Sequence, residues 1–412
     1  MHPEQEPLVG EIGAPYAQRG TNQAGMRAHN ERLVLTLVRR RGALAKSEIA
    51  RLTGLSAQTV SVIMRKLEAD RLLKRGEPQR GRVGQPSVPL SLDPEGAFFL
   101  GAKVGRRSLD VALVDFAGQV RWRRSDPVSW PTPADSVRRI LAGVAEAART
   151  LGPNAERIAG LGVAMPFALW SWAEEIDAPS EEMDAWREAD IRSDLANRLP
   201  WPVYVQNDAT AACGAELVFG AGSDLQDFLY LYVGAFVGGG LVLGGGLFSG
   251  RTGNAAALGS MPVPGPGGRS VQLIDVASLV MLERKLRAAG APADRLYDPG
   301  ADWSAFEPQA SAWMDEAALA LAHAIAAACA VLDLEAVVID GAFPEPIKAR
   351  LIAAVAAALS ALDLSGLEPP EVRAGALGPI SRALGGASLP LFDRYLLDQH
   401  ALAFQPWLEN GR

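Results

Sequence analysis

The sequence predicts an α/β protein in which an N-terminal winged helix-turn-helix precedes a larger, two-lobed body. Residues 46–67 have the pattern of two short helices joined by a tight turn. From about Asp93 onward, apolar strands alternate with helices over about 300 of the 412 residues. Charge separates the same two parts, because residues 27–84 hold fourteen Lys/Arg against five Asp/Glu although the whole chain has a net charge of −7. The front module is therefore basic and suited to a nucleic-acid partner, while the body is acidic.

The first residues and the first helix come before the helix-turn-helix. Residues 1–26 are polar, contain Pro and Gly and show no period, so we expect a disordered or partly ordered tail. We assign residues 27–92 to the DNA-binding domain. Asn30 is expected to cap a helix that ends at Arg41, before Gly42.

The helix-turn-helix itself has a cap, a turn and a second cap at the expected spacing. Ser47 is expected to cap the first helix, Gly54 to provide the turn and Ser56 to cap the second helix. In that second helix Val60, Ile63, Met64 and Leu67 repeat at helical spacing and should face inward. The alternative is a surface helical hairpin of an ordinary α-helical protein.

The outer face of the second helix is polar and basic. We expect Gln58, Ser61 and Arg65 to contact base edges in a major groove. Thr59 and Lys66 would mostly hold phosphates. The complete predicted DNA-binding set is Ser47, Ser56, Gln58, Thr59, Ser61, Arg65, Lys66, Arg80, Arg82 and Gln85.

A wing is predicted after these helices. Residues 72–75 and the alternating Val88, Leu90 and Leu92 are strand candidates on either side of the basic, Gly-rich loop QRGRVGQP. Arg80 and Arg82 in this loop suit a minor groove, which attracts arginine. The alternative interpretation is a Gly/Pro linker.

The body contains one polar pair at a position typical of ligand sites. Strands are predicted at 98–104, 109–116, 158–165, 202–205, 228–233, 239–243 and 336–339, with helices at 135–151 and 209–219. Asn207 and Asp208 follow the carboxyl end of a strand, where ligands bind in α/β folds. We therefore predict that both bind a ligand; the alternative is a simple helix cap.

The cysteines and the hydropathy of the sequence indicate in which cellular compartment the protein is expected. Cys213 and Cys329 lie in Ala-rich apolar surroundings and should fill core space, although a disulfide between them remains an alternative. The N-terminus shows no signal pattern. The longest apolar run, residues 317–339, contains His323, Asp333 and Glu335 and indicates a buried helix leading into a strand. We expect a cytoplasmic protein without a membrane span.

Several stretches resemble the ROK family (repressors, open reading frames and kinases), in particular its winged-helix repressors. They are GTNQAGMRAHNERLVL, KSEIARLTGLSAQTVS, GRVGQPSVPLSL, QNDATAACGAE and GGGLVLGGGLFSGRTGNAAALGSM. The resemblance implies a two-lobed actin-like, ribonuclease H-like ATPase fold with a sugar pocket in the cleft, and homodimers or homotetramers. Lobe 1 would span residues 93–208 and lobe 2 residues 209–412, with a C-terminal helix that can return to lobe 1.

The resemblance also assigns roles at Asn207 and Asp208. They match the family's Asn-Asp pair, in which the kinases use the Asp as the base toward the sugar hydroxyl and the repressors use both to hydrogen-bond the sugar. An amide beside a carboxylate suits vicinal hydroxyls.

Other family motifs are changed. The first phosphate loop, Asp-x-Gly-x-Thr in the family, is Lys103-Val104-Gly105-Arg106-Arg107, and the second carries Phe236 at a glycine position. The adenosine-side Gly-Gly is Asp340-Gly341. Backbone N–H groups must approach phosphate closely, so a large side chain obstructs binding. We expect no ATP, no cofactor and no enzymatic activity.

The zinc and sugar-binding segment is also changed. The family's Glu-x-Gly-His is Ala257-Leu258-Gly259-Ser260, and no cysteine lies between Ser260 and Ser278. Tetrahedral zinc needs thiolate or imidazole ligands, so no metal is expected. Trp170, Trp172 and Arg251 are candidates for the cleft lining because they lie near the matched motifs.

Together these features predict a DNA-binding repressor of carbohydrate-related genes, which binds a palindromic operator on double-stranded DNA as a homo-oligomer. Its effector would be a sugar, a polyol or another small molecule. One alternative is a sugar kinase with Asp208 as base. The other is a DNA-binding oligomer that has no ligand.

Overall fold

The computed structural model describes residues 23–78, 88–173, 178–265, 268–298 and 300–397. Its N-terminal part is a winged helix-turn-helix, and its body is built on two five-stranded sheets. The DNA-binding part comprises α1 (Gln23–Arg41), α2 (Lys46–Thr53), α3 (Ala57–Ala69), β1 (Leu73–Arg75) and β2 (Leu90–Leu92).

Two predicted helix caps were wrong. Helix α1 begins at Gln23, so Asn30 lies inside it; residues 23–29 contain no proline, and the helix simply continues backward. Helix α2 is capped at Ala45 rather than Ser47, because the Glu48 carboxylate accepts a hydrogen bond from the Ala45 N–H at 2.9 Å. Ser47 is left in the first helical turn, and its side chain is exposed.

The turn and the second helix agree with the prediction. Gly54 closes α2 with a φ of +70°, a conformation that favours glycine. The Ser56 hydroxyl accepts from the Thr59 N–H at 3.1 Å and so caps α3. All four predicted inner residues of α3 are buried.

Strands β1 and β2 pair antiparallel, with Leu73 opposite Leu92. These are the two strands expected for a wing. The loop that joins them, with Arg80, Arg82 and Gln85, lies outside the described residues.

The first sheet of the body has the order β5-β4-β3-β6-β7. Its strands are β3 (Phe98–Val104), β4 (Ser108–Asp115), β5 (Val120–Pro127), β6 (Ile158–Ala164) and β7 (Val203–Gln206). Strands β3, β6 and β7 run parallel, so their carboxyl ends meet at one edge. Four of these strands were predicted; β5 was missed.

The second sheet has the order β10-β9-β8-β13-β14. Its strands are β8 (Phe228–Val233), β9 (Val237–Leu243), β10 (Gly246–Phe248), β13 (Ala336–Gly341) and β14 (Glu371–Ala374). A small hairpin of β11 (Pro262–Pro264) and β12 (Ser270–Gln272) stands apart from it. The remaining helices are α4 (Pro133–Leu151), α5 (Ser180–Asp184), α6 (Ile191–Ala196), α7 (Asp208–Phe219), α8 (Ile274–Ala277), α9 (Leu279–Ala288), α10 (Gln309–Leu332), α11 (Glu345–Ser360) and α12 (Ser381–Tyr395).

Helices α7 and α12 pack against each other between the two sheets. Helix α12 lies on β3 and β6 of the first sheet, and α7 lies on β9 of the second. The approach of α12 requires glycine, because a Cβ at Gly162 would lie 1.9 Å from the Gly386 carbonyl oxygen. The C-terminal helix thus packs on the first sheet although it follows the second in sequence.

Helix α10 carries most of the long apolar run. By length and composition it could cross a membrane, and half of its most apolar 18-residue window is buried within the body. Cys329 on α10 and Cys213 on α7 are both buried, which confirms the predicted core role, and they do not form the alternative disulfide.

Helix α1 is attached to both halves of the body, namely the half built on the first sheet and the half built on the second sheet. The Arg39 guanidinium donates to the Phe116 carbonyl, which follows β4 of the first sheet. Arg40 Nη2 donates to the Gly245 carbonyl at 2.7 Å, in the turn between β9 and β10 of the second sheet. The Thr36 hydroxyl accepts from the Leu397 N–H at 3.0 Å, after α12. The DNA-binding module is therefore seated where the two halves meet.

Candidate functional sites: the α3 surface and the central cleft

The α3 surface presents most of the residues predicted to read DNA. Gln58 and Arg65 are exposed, and Thr59 and Ser61 are partly exposed. Among the residues that the structure describes, Arg65 Nε donates to the Ser61 carbonyl of its own helix, at 3.2 Å, and the exposed guanidinium can contact a partner. Val62 is 40% exposed at the centre of this face, where an apolar side chain suits a thymine methyl group.

Lys66 is placed differently from the other predicted contacts. Its ammonium group lies 2.6 Å from Glu31 on α1 and 3.5 Å from Asp70. The hydrogen bond with Glu31 is the main cause of the raised pKa of Lys66. Lys66 therefore ties α3 to α1, and a phosphate would have to compete with two carboxylates.

A central cleft of about 490 Å³ lies at the carboxyl ends of β3, β6, β7 and β8. Ligands in α/β folds bind in this position. Trp170 lines the cleft as expected, whereas Arg251 is exposed and lies outside the lining; the Trp172 side chain is outside the described part. The lining includes Arg106, Phe167, Trp170, Asn207, Asp208, Thr210, Tyr232, Phe236, Asn254, Leu258, Ser260, Ile274 and Arg382.

Both members of the predicted Asn-Asp pair line the cleft, and both have protein partners. The Asn207 Oδ1 atom accepts from the N–H groups of Ala209, at 3.0 Å, and Thr210, at 3.2 Å, so Asn207 caps α7. Asp208 Oδ2 lies 3.3 Å from Arg382 Nη1 on α12. The carboxylate of Asp208 is thus paired with a guanidinium rather than standing free as a base.

The two altered phosphate-loop segments contact each other. Arg106, after β3, places its guanidinium 5.6 Å from the centre of the Phe236 ring, between β8 and β9. Both side chains line the cleft. An arginine–phenylalanine contact thus joins the two segments that would need to present backbone N–H groups to phosphate.

Lys103 is buried at the end of β3. Its ammonium group lies 2.9 Å from Asp110 and donates to the Ser108 hydroxyl at 2.7 Å. Burial is the main cause that lowers the pKa of Lys103 to about 8; the nearby Arg382 acts in the same direction, and Asp110 acts against both. At neutral pH this position is cationic and carries no carboxylate for a metal ion.

A cluster around Glu283 on α9 joins the two halves across the cleft. Arg107 and Arg287 each place a nitrogen 2.8 Å from Glu283, and Arg106 lies at 4.0 Å. The Tyr297 hydroxyl donates to the same carboxylate at 2.7 Å. Three guanidinium groups thus surround one carboxylate whose side chain is 3% exposed.

Asp340 takes part in a buried network instead of an adenosine site. Its carboxylate lies 3.3 Å from Lys348 Nζ and accepts from the Gly378 N–H at 2.8 Å. Nearby Glu216 accepts from the N–H groups of Ala376 and Leu377, and burial raises its pKa to about 7. This network holds the loop between β14 and α12.

The hairpin of β11 and β12 occupies the segment in which the resemblance would place zinc. Across the described ranges, no group of three His, Cys, Asp or Glu side chains is arranged to hold a metal ion. Backbone pairing, such as Val263 opposite Val271, orders the hairpin.

Known protein families match both the N-terminal module and the body of the chain. A model of the ROK family matches residues 99–389, and a model of the MarR family matches residues 27–82. The protein named transcriptional regulator Rv0485 of Mycobacterium tuberculosis is 28% identical over 333 residues, which cover 76% of this chain and 74% of that protein. A putative xylose repressor of Caldicellulosiruptor sp. is 25% identical over 59% of this chain and 60% of its own length.

A crystal structure described as a ROK family transcriptional regulator, homolog of the E. coli MLC protein, has the same fold. Its TM-score is 0.65, with 19% identity over 92% of this chain and 98% of that one. This likeness extends over both the helix-turn-helix and the body.

Proposed function

The chain belongs to the ROK family, and we propose that it is a DNA-binding transcriptional repressor whose kinase-inactive body senses a sugar or a related small molecule. The exposed polar face of α3 on a basic module is the observation that carries this proposal. Relatives named transcriptional regulator and putative xylose repressor support it. A repressor of this kind acts in the cytoplasm, on genes of carbohydrate metabolism.

Loss of kinase activity is part of the proposal, since the family also includes sugar kinases. Phosphoryl transfer depends on positioned phosphates and metal. Here Lys103 replaces the acidic residue, the Arg106–Phe236 contact joins the phosphate segments, and Asp208 pairs with Arg382. A coupled assay of ATP consumption with common hexoses should give no turnover; clear turnover would refute the loss of activity.

DNA recognition is proposed to follow the usual geometry of the motif. In a symmetric homodimer or homotetramer, two α3 helices would enter successive major grooves of a palindromic operator about 34 Å apart, or a multiple of that distance. Gln58, Ser61 and Arg65 would contact bases. Ser56 and Thr59 order the start of the helix, since their hydroxyl oxygens lie 2.8 Å apart.

Signal transfer is proposed to pass through α1. Arg39 attaches this helix near the first sheet, and Arg40 attaches it to the second. A ligand that moves the two halves relative to each other therefore changes the position of α1 on the body. Lys66 and Glu31 then carry the movement to α3. The ligand changes operator affinity only by its differential affinity for the two states.

The decisive experiment is operator binding by an Arg65→Ala variant. Operator fragments would be selected from the source genome with the purified protein, and affinity measured by fluorescence anisotropy at fixed salt. If Arg65 reads a base, specific binding should weaken by about 1–3 kcal/mol.

Arg149→Ala provides a matched control. Arg149 on α4 is also exposed and also donates to a carbonyl four residues earlier, but it lies on the body. Its variant should bind like the unmodified protein. Failure of the protein to select any genomic fragment at low ionic strength would refute the proposed function itself.

A further inference from the structure

Helices α7 and α12 both begin at the central cleft. Asp208 is the first residue of α7 and Arg382 is the second residue of α12, and both side chains line the cleft. An ion pair of 3.3 Å between Asp208 Oδ2 and Arg382 Nη1 joins the two helices there. A molecule that enters the cleft therefore meets the first turns of both helices at once.

The two helices run in the same direction and in register. Three residues beyond the ion pair on each helix, a Cβ at Gly385 would lie 2.3 Å from the Ala211 carbonyl carbon. Three residues further on, a Cβ at Gly214 would lie 3.4 Å from the Ser388 hydroxyl oxygen and 3.1 Å from the Phe392 ring. Glycine at both positions lets the helices approach closely. Such a tightly packed contact transmits a displacement along the helices instead of absorbing it.

The α7–α12 pair is also the place where the two halves of the body meet. Helix α12 packs on β3 and β6 of the first sheet, and α7 packs on β9 of the second sheet. Packed halves of a protein shift by small slides of one helix past another. A relative movement of the halves at the cleft is therefore a displacement of α7 relative to α12.

The far ends of both helices meet α1. Phe219, the last residue of α7, places the centre of its ring 5.6 Å from the Arg39 guanidinium. The same guanidinium lies 5.5 Å from the centre of the Phe116 ring and donates to the Phe116 carbonyl. The Phe116 ring in turn lies 5.0 Å, between centres, from the ring of Tyr395, the last residue of α12. Arg39 is thus held by one aromatic ring from each half of the body.

These contacts make α1 sensitive to a displacement of the helices. A guanidinium is attracted to an aromatic face within about 6 Å of the ring centre, so Arg39 must move when one ring shifts relative to the other. Phe219 cannot simply turn away, because a Cβ at Gly118 in the β4–β5 turn would lie 2.5 Å from its ring. From α1 the movement reaches α3, since Glu31 lies 2.6 Å from Lys66.

We propose that Phe219 and Arg39 are positioning residues for operator binding, through which the relative placement of α7 and α12 at the Asp208–Arg382 pair sets the orientation of the DNA-binding module. This inference rests on the proposed function, and it names the elements that connect the cleft to operator recognition. At about 1.5 Å per residue, the 12 residues of α7 span about 18 Å, so the cleft and α1 are connected through the helices and not by direct contact.

The test perturbs the cleft end of the helix pair and measures the response at the DNA end, so it needs no effector. Asp208→Asn removes the charge of the ion pair and keeps the size of the side chain. Phe219→Leu removes the ring and keeps an apolar side chain. Both single variants and the double variant of the full chain are compared for operator affinity, by fluorescence anisotropy at fixed salt. Amide hydrogen exchange in α1 and α3 is followed by mass spectrometry on the same proteins.

The expected result is a strong coupling between the two substitutions. Asp208→Asn should change operator affinity by about threefold or more and should change hydrogen exchange in α1. In the Phe219→Leu background, the same substitution should change operator affinity by less than about 1.5-fold, because the contact that transmits the displacement is missing. A residue with a merely structural role would give additive effects instead.

Two further variants serve as controls. Phe219→Tyr keeps the aromatic ring and should restore the response to Asp208→Asn. Glu316→Gln removes the carboxylate of another ion pair between helices, the 2.9 Å contact of Glu316 on α10 with Lys285 on α9. It should leave operator affinity and the exchange of α1 unchanged. If the double variant does not fold in urea titrations, the exchange of α1 in the Asp208→Asn single variant decides.

Unchanged operator affinity together with unchanged exchange of α1 in Asp208→Asn would overturn the inference. Equal effects of Asp208→Asn with and without Phe219→Leu would also overturn it. In both cases the unmodified protein still binds its operator, and the repressor assignment stands. If the unmodified protein selects no operator, the proposed function is refuted instead, and the exchange of α1 still tests the connection between the cleft and this helix.

Discussion

Lys103 allows a quantitative test of the cleft's electrostatics. Its side chain is 6% exposed, and burial lowers the pKa to about 8 from the ordinary 10.5. Between these two pH values the unfolded chain binds a proton that the folded protein has released. The free energy of unfolding should therefore rise as the pH increases from about 8 to 10.5, and the destabilising effect should be complete below pH 8.

The size of this effect follows from the pKa difference. Each pKa unit corresponds to about 1.4 kcal/mol, so the buried ammonium group should lower stability by roughly 3 kcal/mol at neutral pH relative to its uncharged form. Lys103→Met removes the titrating group and keeps most of the side-chain volume. Asp110, the partner of Lys103, retains hydrogen bonds from Ser108 and Ser125 in this variant.

Urea denaturation of both proteins at pH 7, 8, 9 and 10 isolates the contribution of Lys103. All other titrating groups are common to the two proteins, so only the difference between the two unfolding free energies is interpreted. That difference should change by about 2–3 kcal/mol between pH 8 and 10, in the direction that favours the unmodified protein at high pH. Parallel pH curves would show that burial does not perturb Lys103 and would refute the reasoning.

Four further predictions concern the rest of the chain. Ser56→Ala removes the cap of α3 and should lower the unfolding free energy by about 1 kcal/mol in urea titration. Gly162→Ala should destabilise by about 1–3 kcal/mol, because its Cβ would meet the Gly386 carbonyl, whereas Gly300→Ala, with only a side-chain oxygen at 3.5 Å, should be nearly neutral in the same titration. Arg40→Ala should leave operator affinity within about twofold but reduce the effector response in anisotropy titrations, since the hydrogen bond that attaches α1 to the second sheet is lost. Treatment with EDTA should leave the melting temperature unchanged, because the altered segment at Ala257–Ser260 supplies no zinc ligands.

Local patterns explain what the sequence could predict. Helix α3 was predicted with its cap and its buried face because Ser56 and the four apolar positions lie within twelve residues. Strand β3 was predicted over its full length because its sequence, FFLGAKV, is apolar except for Lys103 near its end. Strand β5 was missed since its residues, VRWRRSDP, face solvent on alternate positions and carry four charges.

The cleft could be located from the sequence but its charge could not. Asn207 and Asp208 follow a strand, which is a local signal. Arg382 is 174 residues away from Asp208, and its pairing depends on the return of α12 to the first sheet. Glu283 meets Arg107 across 176 residues for the same kind of reason. Only the tertiary fold brings these groups together, and no spacing rule reveals them.

The packing of α1 against the body has a practical consequence for engineering. Val34 and Val38 on this helix belong to one continuous apolar cluster that also contains Phe116 of the body and Leu391 of the C-terminal helix. A fragment truncated after Leu92 would expose this surface to water and lose its anchors. Exchange of operator specificity between relatives is therefore better attempted by grafting the outward side chains of α3 than by transplanting the whole front module.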